Sequence, residues 1–200
     1  MAYHARTKKD YSKQDLQLTF TEVDQYLDLR QDRLSTNQDR IETLLIGSAY
    51  IPAVASSRHE LKDIDLYLND EEIFQSLENL PNARKSRTSK DVLHMSPSHD
   101  WCRDLKIEFF NSLERPLDLE NGEYIDRALD HELDSPYQNI YSGDILEVYL
   151  PSPGSYAATK QAEDIDMAEK YEGQLSLIDN ATGTQLNDNF SYYSTTNPAD

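Results

Sequence analysis

Cysteine is almost missing from this chain: Cys102 is the only one in 200 residues. A lone cysteine excludes an intrachain disulfide, and Trp101 and Arg103 beside it offer no base to activate a nucleophilic thiol. The five histidines, His4, His59, His94, His99 and His131, are too scattered for a structural zinc pattern. Basic residues are scarce as well, 19 against 37 acidic ones, and the net charge of −18 disfavours a broad, non-specific grip on nucleic acid. A local basic run or a metal-bridged nucleotide remains compatible with that charge. No run of about 18 apolar residues is present, so no membrane-crossing helix and no membrane partner are expected. The opening stretch MAYHARTKKDYSKQD lacks the apolar core of a secretory signal, and the expected compartment is the reducing cytoplasm. Neither a P-loop nor a dinucleotide fingerprint occurs, and no internal repeat is visible.

What is present suits one domain. The apolar fraction is 38% and the charged fraction 28%, polar but not disordered in composition. Three parts are expected: a flexible N-terminal segment over 1–20, a domain over 21–180 and a flexible tail over 181–200. Within the domain, Val23, Tyr26, Leu27 and Leu34 predict a helix from Thr21, with Thr21 as N-cap and Asp24 in a capping-box position. ETLLI at 42–46 is a short buried strand ending at Gly47, followed by a short helix or turn interrupted by Pro52. KDIDLYL at 62–68 alternates strictly, and NDEEIFQSLENL follows as a helix capped by Asn69 or Asp70. DLKIEFF at 104–110 and DILEVYL at 144–150 are further strands. Residues 111–142 look loop-rich, and the segment after PSPG gives one or two helices broken near Gly173. The fold class is therefore α/β (α+β), a small mixed β-sheet flanked by helices.

The chemistry concentrates in the DID strand. Residues two apart in a strand project from one face, so Asp63 and Asp65 reach one divalent cation together. Magnesium takes hard oxygen ligands and is commonly held by one or two carboxylates plus substrate phosphates. Glu108, flanked by core-facing Ile107 and Phe109, is set to join them from a neighbouring strand. A solvated pair of aspartates is the plain alternative, but aspartate is depleted in strands and two in one short strand call for a cause. Upstream, Gly47 permits a sharp turn and close approach of a ligand to the backbone. Ser48 adds a hydroxyl, and a helix starting there exposes free N–H groups to an anion. Arg58, Lys62 and Lys160 are candidate phosphate contacts, with a solvated rim as the alternative for each. The run Arg84, Lys85, Arg87 and Lys90 is the one basic cluster, a solvated loop or a landing place for an acceptor or partner. Tyr67 shares the aspartate face and is placed either to stack on a base or to cover the sheet.

GSAYIPAVASSRHELKDIDLYL resembles the signature of the polymerase-β-type nucleotidyltransferase superfamily: a Gly-Ser turn, a spacer, then an acid–apolar–acid–apolar strand. Ile107-Glu108-Phe109 matches the third-acid strand. The branch most similar is that of small AbiEii-like nucleotidyltransferases of toxin–antitoxin pairs, where LPSPGSYAATKQAED resembles the segment carrying a functional lysine, here Lys160. The likeness spans residues 22–172. It departs from the branch at Arg58, which lies one place early, at Leu61, where a threonine is usual, and in MAEKYEG, which lacks the usual charged residues. The resemblance implies an ATP- or other NTP-dependent nucleotidyltransferase with two magnesium ions, or manganese, on Asp63, Asp65 and Glu108. Gly47, Ser48, Arg58, Lys62 and Lys160 would then bind nucleotide. The acceptor would be an RNA end, such as that of a tRNA in a toxin role, or a small-molecule hydroxyl. A cognate antitoxin or other protein partner follows from the same likeness. The alternative is a degenerate member that binds nucleotide or a partner protein without catalysis.

Overall fold

The computed structural model describes residues 9–34, 40–55, 57–95, 105–113, 120–163 and 168–184. The N-terminal helix starts earlier than the apolar pattern from Thr21 suggests. A short strand β1 (Lys9–Tyr11) leads to Ser12, and helix α1 (Lys13–Asp28) follows. Ser12 caps it: Ser12 Oγ accepts from Asp15 N at 3.2 Å, and Asp15 Oδ2 accepts from Ser12 N at 2.9 Å. These bonds hold the Asp15 carboxyl below its ordinary range, with Arg58 nearby adding to the effect. Thr21 and Asp24 therefore lie inside the helix rather than at its start. Leu16, Phe20, Val23 and Leu27 form its buried stripe.

After a 3-10 turn at Gln31–Arg33, the chain enters β2 (Ile41–Ile46), a second 3-10 turn (Gly47–Ala49) and α2 (Tyr50–Val54). Pro52 does not interrupt α2. It lies in the first turn, where the backbone N–H would have no helical partner anyway. Then come β3 (His59–Leu61), β4 (Asp63–Tyr67), α3 (Glu71–Glu78), β5 (Ala83–Lys85), β6 (Val92–Met95) and β7 (Lys106–Phe110). The segment expected to be loop-rich holds α4 (Glu120–Asp134) and β8 (Gln138–Ser142). The chain continues through β9 (Leu146–Leu150), α5 (Pro153–Glu163) and α6 (Ala168–Thr182), with Gly173 inside α6. The expected tail lies outside the described residues beyond Thr184, as do Trp101, Cys102 and Arg103.

Among the described residues, seven strands form one mixed sheet in the order β5-β6-β7-β4-β2-β9-β8, and β1 pairs with β3 in a separate ribbon. The architecture is α+β, as the alternation of patterns implies. One sheet face carries Leu45, Ile64, Leu66, Leu93, Met95, Ile107, Phe109, Leu146 and Val148, packed in the main core with α1, α2, α3 and α6. The opposite face is only partly covered. There Leu44, Ile46, Tyr67, Leu113 and Leu129 make a smaller core under α4, with Phe110, Leu133 and Tyr149 at its margin. Among the described residues, no helix is long and apolar enough to cross a membrane.

Two buried acids tie the sheet's far side together. Asp24 of α1, 6% exposed, accepts from the backbone N–H groups of Asp144, Ile145 and Leu146 at 3.1, 2.9 and 2.7 Å. It thereby pins the β8–β9 turn to α1. Glu147 accepts from Tyr149, Ser142 and Arg40, and the Tyr149 hydroxyl is the main reason its carboxyl stays below the ordinary range. Burial and the same contact push the Tyr149 hydroxyl up to about 12.

Candidate functional site

The polar site occupies the part of the second sheet face that α4 leaves open. Strand alternation puts Asp63, Asp65 and Tyr67 on that face. Two residues decide where the cover ends. Tyr67, 1% exposed, lies beneath α4 and donates its hydroxyl to Asp130 Oδ1 at 2.7 Å. It is a wall of the small core, not an open platform for a base, and burial is the main reason its hydroxyl titrates well above the ordinary tyrosine range. Asp126 fastens α4 to the end of β7 by accepting from Ser112 Oγ at 2.6 Å and Leu113 N at 2.7 Å. Beyond that edge the face turns polar: Asp63 and Asp65 are half-buried rather than sealed.

The strand register assembles the row. Asp65 lies opposite Ile46 on β2 and opposite Glu108 on β7; Asp63 lies opposite Lys106. Glu108 in turn faces His94 on β6, and His94 faces Arg84 on β5. One cross-strand row thus runs Ile46, Asp65, Glu108, His94, Arg84. Gly47 follows Ile46 directly and has φ +67. A Cβ on Gly47 would come within 2.8 Å of Asp65 Cγ and closer still to its Oδ2. Glycine is needed here twice over, for the left-handed backbone and for the carboxylate lying against it.

Electrostatics explains what holds these acids together. Neighbouring strands lie about 4.8 Å apart, and at an effective dielectric of about 20 two carboxylates at that spacing repel by roughly 3 kcal/mol. Lys106 relieves this repulsion. Its ammonium makes an ion pair with Glu108, lies 4.0 Å from Asp63 Oδ2 and 3.1 Å from His94 Nδ1. His94 Nδ1 is also 3.1 Å from Glu108 Oε1. An ammonium has three hydrogens to donate, enough to serve these neighbours together. The Lys106 and Glu108 side chains are only 12% and 13% exposed, so solvent screens the pair weakly.

By donor type, only part of this set suits a divalent cation. Asp63 and Asp65 offer hard oxygens from one face, the donor type magnesium takes alongside phosphate oxygens. Glu108 is differently placed, since the Lys106 ammonium already pairs with it. Among the described residues, no group of three or more His, Cys, Asp or Glu side chains is arranged to hold a metal ion.

The other sequence candidates fall into two groups. Gly47 and Ser48 are beside the row, Gly47 buried and Ser48 half-buried. α2 behind them has five residues, so it adds little dipole to the turn's own N–H groups. Arg58, by contrast, turns its guanidinium to Asp15 Oδ2 at 2.8 Å, toward the start of α1. Lys62 is exposed next to Asp63. Lys160 is not the solvated helix lysine of the plain reading. It is 5% exposed, its ammonium 5.8 Å from the centre of the Tyr156 ring, which stacks on Tyr50 at 4.0 Å. The aromatic pair links Lys160 to α2, and through it to the Gly47 turn. In the basic run, Arg84 stands on the site's face, while Lys85 points the other way and pairs with Glu78 at 2.5 Å.

Sequence reasoning gave Lys106 no role and weighed His94 only as a zinc ligand. The alternation of DLKIEFF already placed Lys106 beside Glu108 on one face. VLHM carries the same signal for His94, but four residues are a short run to recognise. Set against known proteins, the chain matches no family model, no curated protein and no solved structure.

Proposed function

We propose that this chain transfers a nucleoside monophosphate from an NTP, delivered as its magnesium complex, to a hydroxyl acceptor. The observation that carries the reading is the glycine turn lying against Asp65, with Asp65 in register with Glu108. A buried strand that ends in a left-handed glycine directly over a carboxylate brings backbone N–H groups and anionic oxygens to one spot. That combination suits a polyphosphate and its counter-ion better than it suits a packed core. Magnesium, when bound with the triphosphate, withdraws charge from the phosphates and orients them.

In this reading Asp63 and Asp65 would hold the magnesium side of the substrate. Gly47 and Ser48 offer their N–H groups and a hydroxyl to the β- and γ-phosphates. The acceptor oxygen forms its bond to the α-phosphorus while the bond from that phosphorus to the bridging oxygen breaks, and pyrophosphate leaves. The hydroxyl proton passes late to Glu108. Such a loose transition state asks little of the proton acceptor, because positioning and charge supply most of the rate. Lys160, behind Tyr156 and Tyr50, adds positive potential near the turn, and Lys62 supplies charge at the rim. Arg84, at the end of the same row, provides a cationic edge for an RNA or small-molecule acceptor.

A second reading is favoured by one specific observation, the ion pair that Lys106 makes with Glu108. A third acid that is already neutralised fits a chain that binds nucleotide or a partner protein, such as an antitoxin, without turnover. Incubation with α-labelled NTPs and either cellular RNA or a small-molecule pool separates the two. Transfer is expected from the wild type and at least a hundredfold less from Asp65→Ala. Equal labelling by both proteins removes the transfer reading. Magnesium-dependent NTP binding without release of pyrophosphate selects the second.

A further inference from the structure

The placement of Lys106 bears on how many cations the site accepts. Superimposed on the nucleotidyl-transfer reading, on which it rests, β4 and β7 bring three carboxylates to this face, Asp63, Asp65 and Glu108, with one ammonium, Lys106, against two of them. Among these four side chains, three negative charges less one positive leave two, which a single divalent cation neutralises; Arg84 stands two strands beyond β7, and Lys62 is exposed at the rim. The location says the same as the count. The ammonium pairs with Glu108 and lies 4.0 Å from Asp63, so it stands between the two acids that a second, bridging ion would need.

We infer that Lys106 takes the place of a second metal: the site binds one divalent cation, on Asp63 and Asp65, and the lysine supplies the other positive charge. Its position is enforced rather than incidental. Lys106 is on a central strand, opposite Asp63 in register, with a side chain only 12% exposed, and His94 Nδ1 buttresses it at 3.1 Å. An ammonium differs from magnesium in one consequential way. It is covalently tethered, so it neither dissociates nor follows the pyrophosphate out, and the charge it supplies does not depend on cation concentration.

The inference is tested by counting ions, without any need for turnover. Purified full-length chain is titrated with Mn2+ alone, free ion is followed by electron paramagnetic resonance, and the count for Asp65→Asn is subtracted to remove ions held loosely by the acidic surface. The expected result is one site-bound ion for the wild type, one for Lys106→Arg, which keeps the charge, and two for Lys106→Met. Circular dichroism melting checks that the variants are folded, and Lys106→Gln replaces the methionine variant if that one is not. Any other set of counts overturns the inference. A count of two on a wild type that still transfers label removes only the role given to Lys106. No bound ion and no transfer removes the function reading as well.

Discussion

At the scale of single residues, two glycines with left-handed backbone make a controlled comparison. Gly47 has φ +67 and Gly183 φ +73. Gly183 ends α6, its N–H returning to Asp179 O at 2.8 Å, and a Cβ there would meet nothing within 4 Å. A Cβ at Gly47 would enter the Asp65 carboxylate. Alanine at either position pays the left-handed cost of about 1–2 kcal/mol. Only at Gly47 must a functional group also move. Gly183→Ala is therefore expected to lower stability by about 1 kcal/mol in urea unfolding and to leave nucleotide binding unchanged. Gly47→Ala is expected to cost more than about 2 kcal/mol and to weaken magnesium–NTP binding at least tenfold. If the two variants bind nucleotide alike, the turn is not where the phosphates sit. The residue scale is also where the sequence was most legible. That Asp63, Asp65 and Glu108 share one face was readable because alternation fixes which side a residue faces. What alternation withholds is register, and register alone brings Lys106 opposite Asp63 and His94 opposite Glu108. Arg58 shows the same gap from the other side: near the acids in sequence, it reaches to Asp15 instead.

At the scale of elements, four of the five longer strands were legible, and β8 and the short strands were not. β2, β4, β7 and β9 each carry five or six residues of clear pattern bounded by turn residues. β5 and β6, of three and four residues, borrow their conformation from the strands they pair with, which no local pattern records. α4 was hidden for another reason. The stretch 111–142 was read as loop-rich, while the spacing of Ile125, Leu129 and Leu133 follows one helix period. α1 was placed late because its first apolar positions are spaced among polar residues, although Ser12-x-x-Asp15 gave the capping signal. The Asp24 contact has no local signature at all, since it joins α1 to a turn about 120 residues away in the chain. It makes a clear test of how elements are locked. Asp24→Ala leaves three backbone N–H groups without their acceptor, two of those bonds being buried. Removing the partner of buried donors costs about 1–3 kcal/mol for each one left unsatisfied, less where water enters. A loss of about 3 kcal/mol in urea unfolding is expected. A loss below about 1 kcal/mol would mean that the β8–β9 turn holds its shape unaided.

At the scale of the whole molecule, the charge of −18 and the local site act in opposite directions. On the proposed function, a nucleotide or an RNA end approaching this protein would meet a repulsive field at long range and local attraction near Gly47, Lys106, Lys160 and Arg84. Salt separates the two. Long-range repulsion between exposed charges is screened strongly, since the Debye length falls to about 8 Å at physiological ionic strength. Contacts in the half-buried row are screened much less. Raising KCl from 50 to 200 mM should therefore leave magnesium–NTP affinity within about threefold or tighten it. A protein gripping nucleic acid through many phosphate contacts loses about 10³–10⁵ over the same interval. For a single-stranded RNA acceptor held at the Arg84 edge, the expected salt slope is that of one or two phosphates, and Arg84→Gln should reduce it by about one unit. A slope matching six or more phosphates would place the acceptor on a broad basic surface and would remove the edge strand from the account. A tightening of NTP binding that persists in Arg84→Gln, with the RNA slope lowered, would divide the work as the charges are divided. The acids and the glycine turn would select the nucleotide, and the cationic edge of the sheet would meet the acceptor.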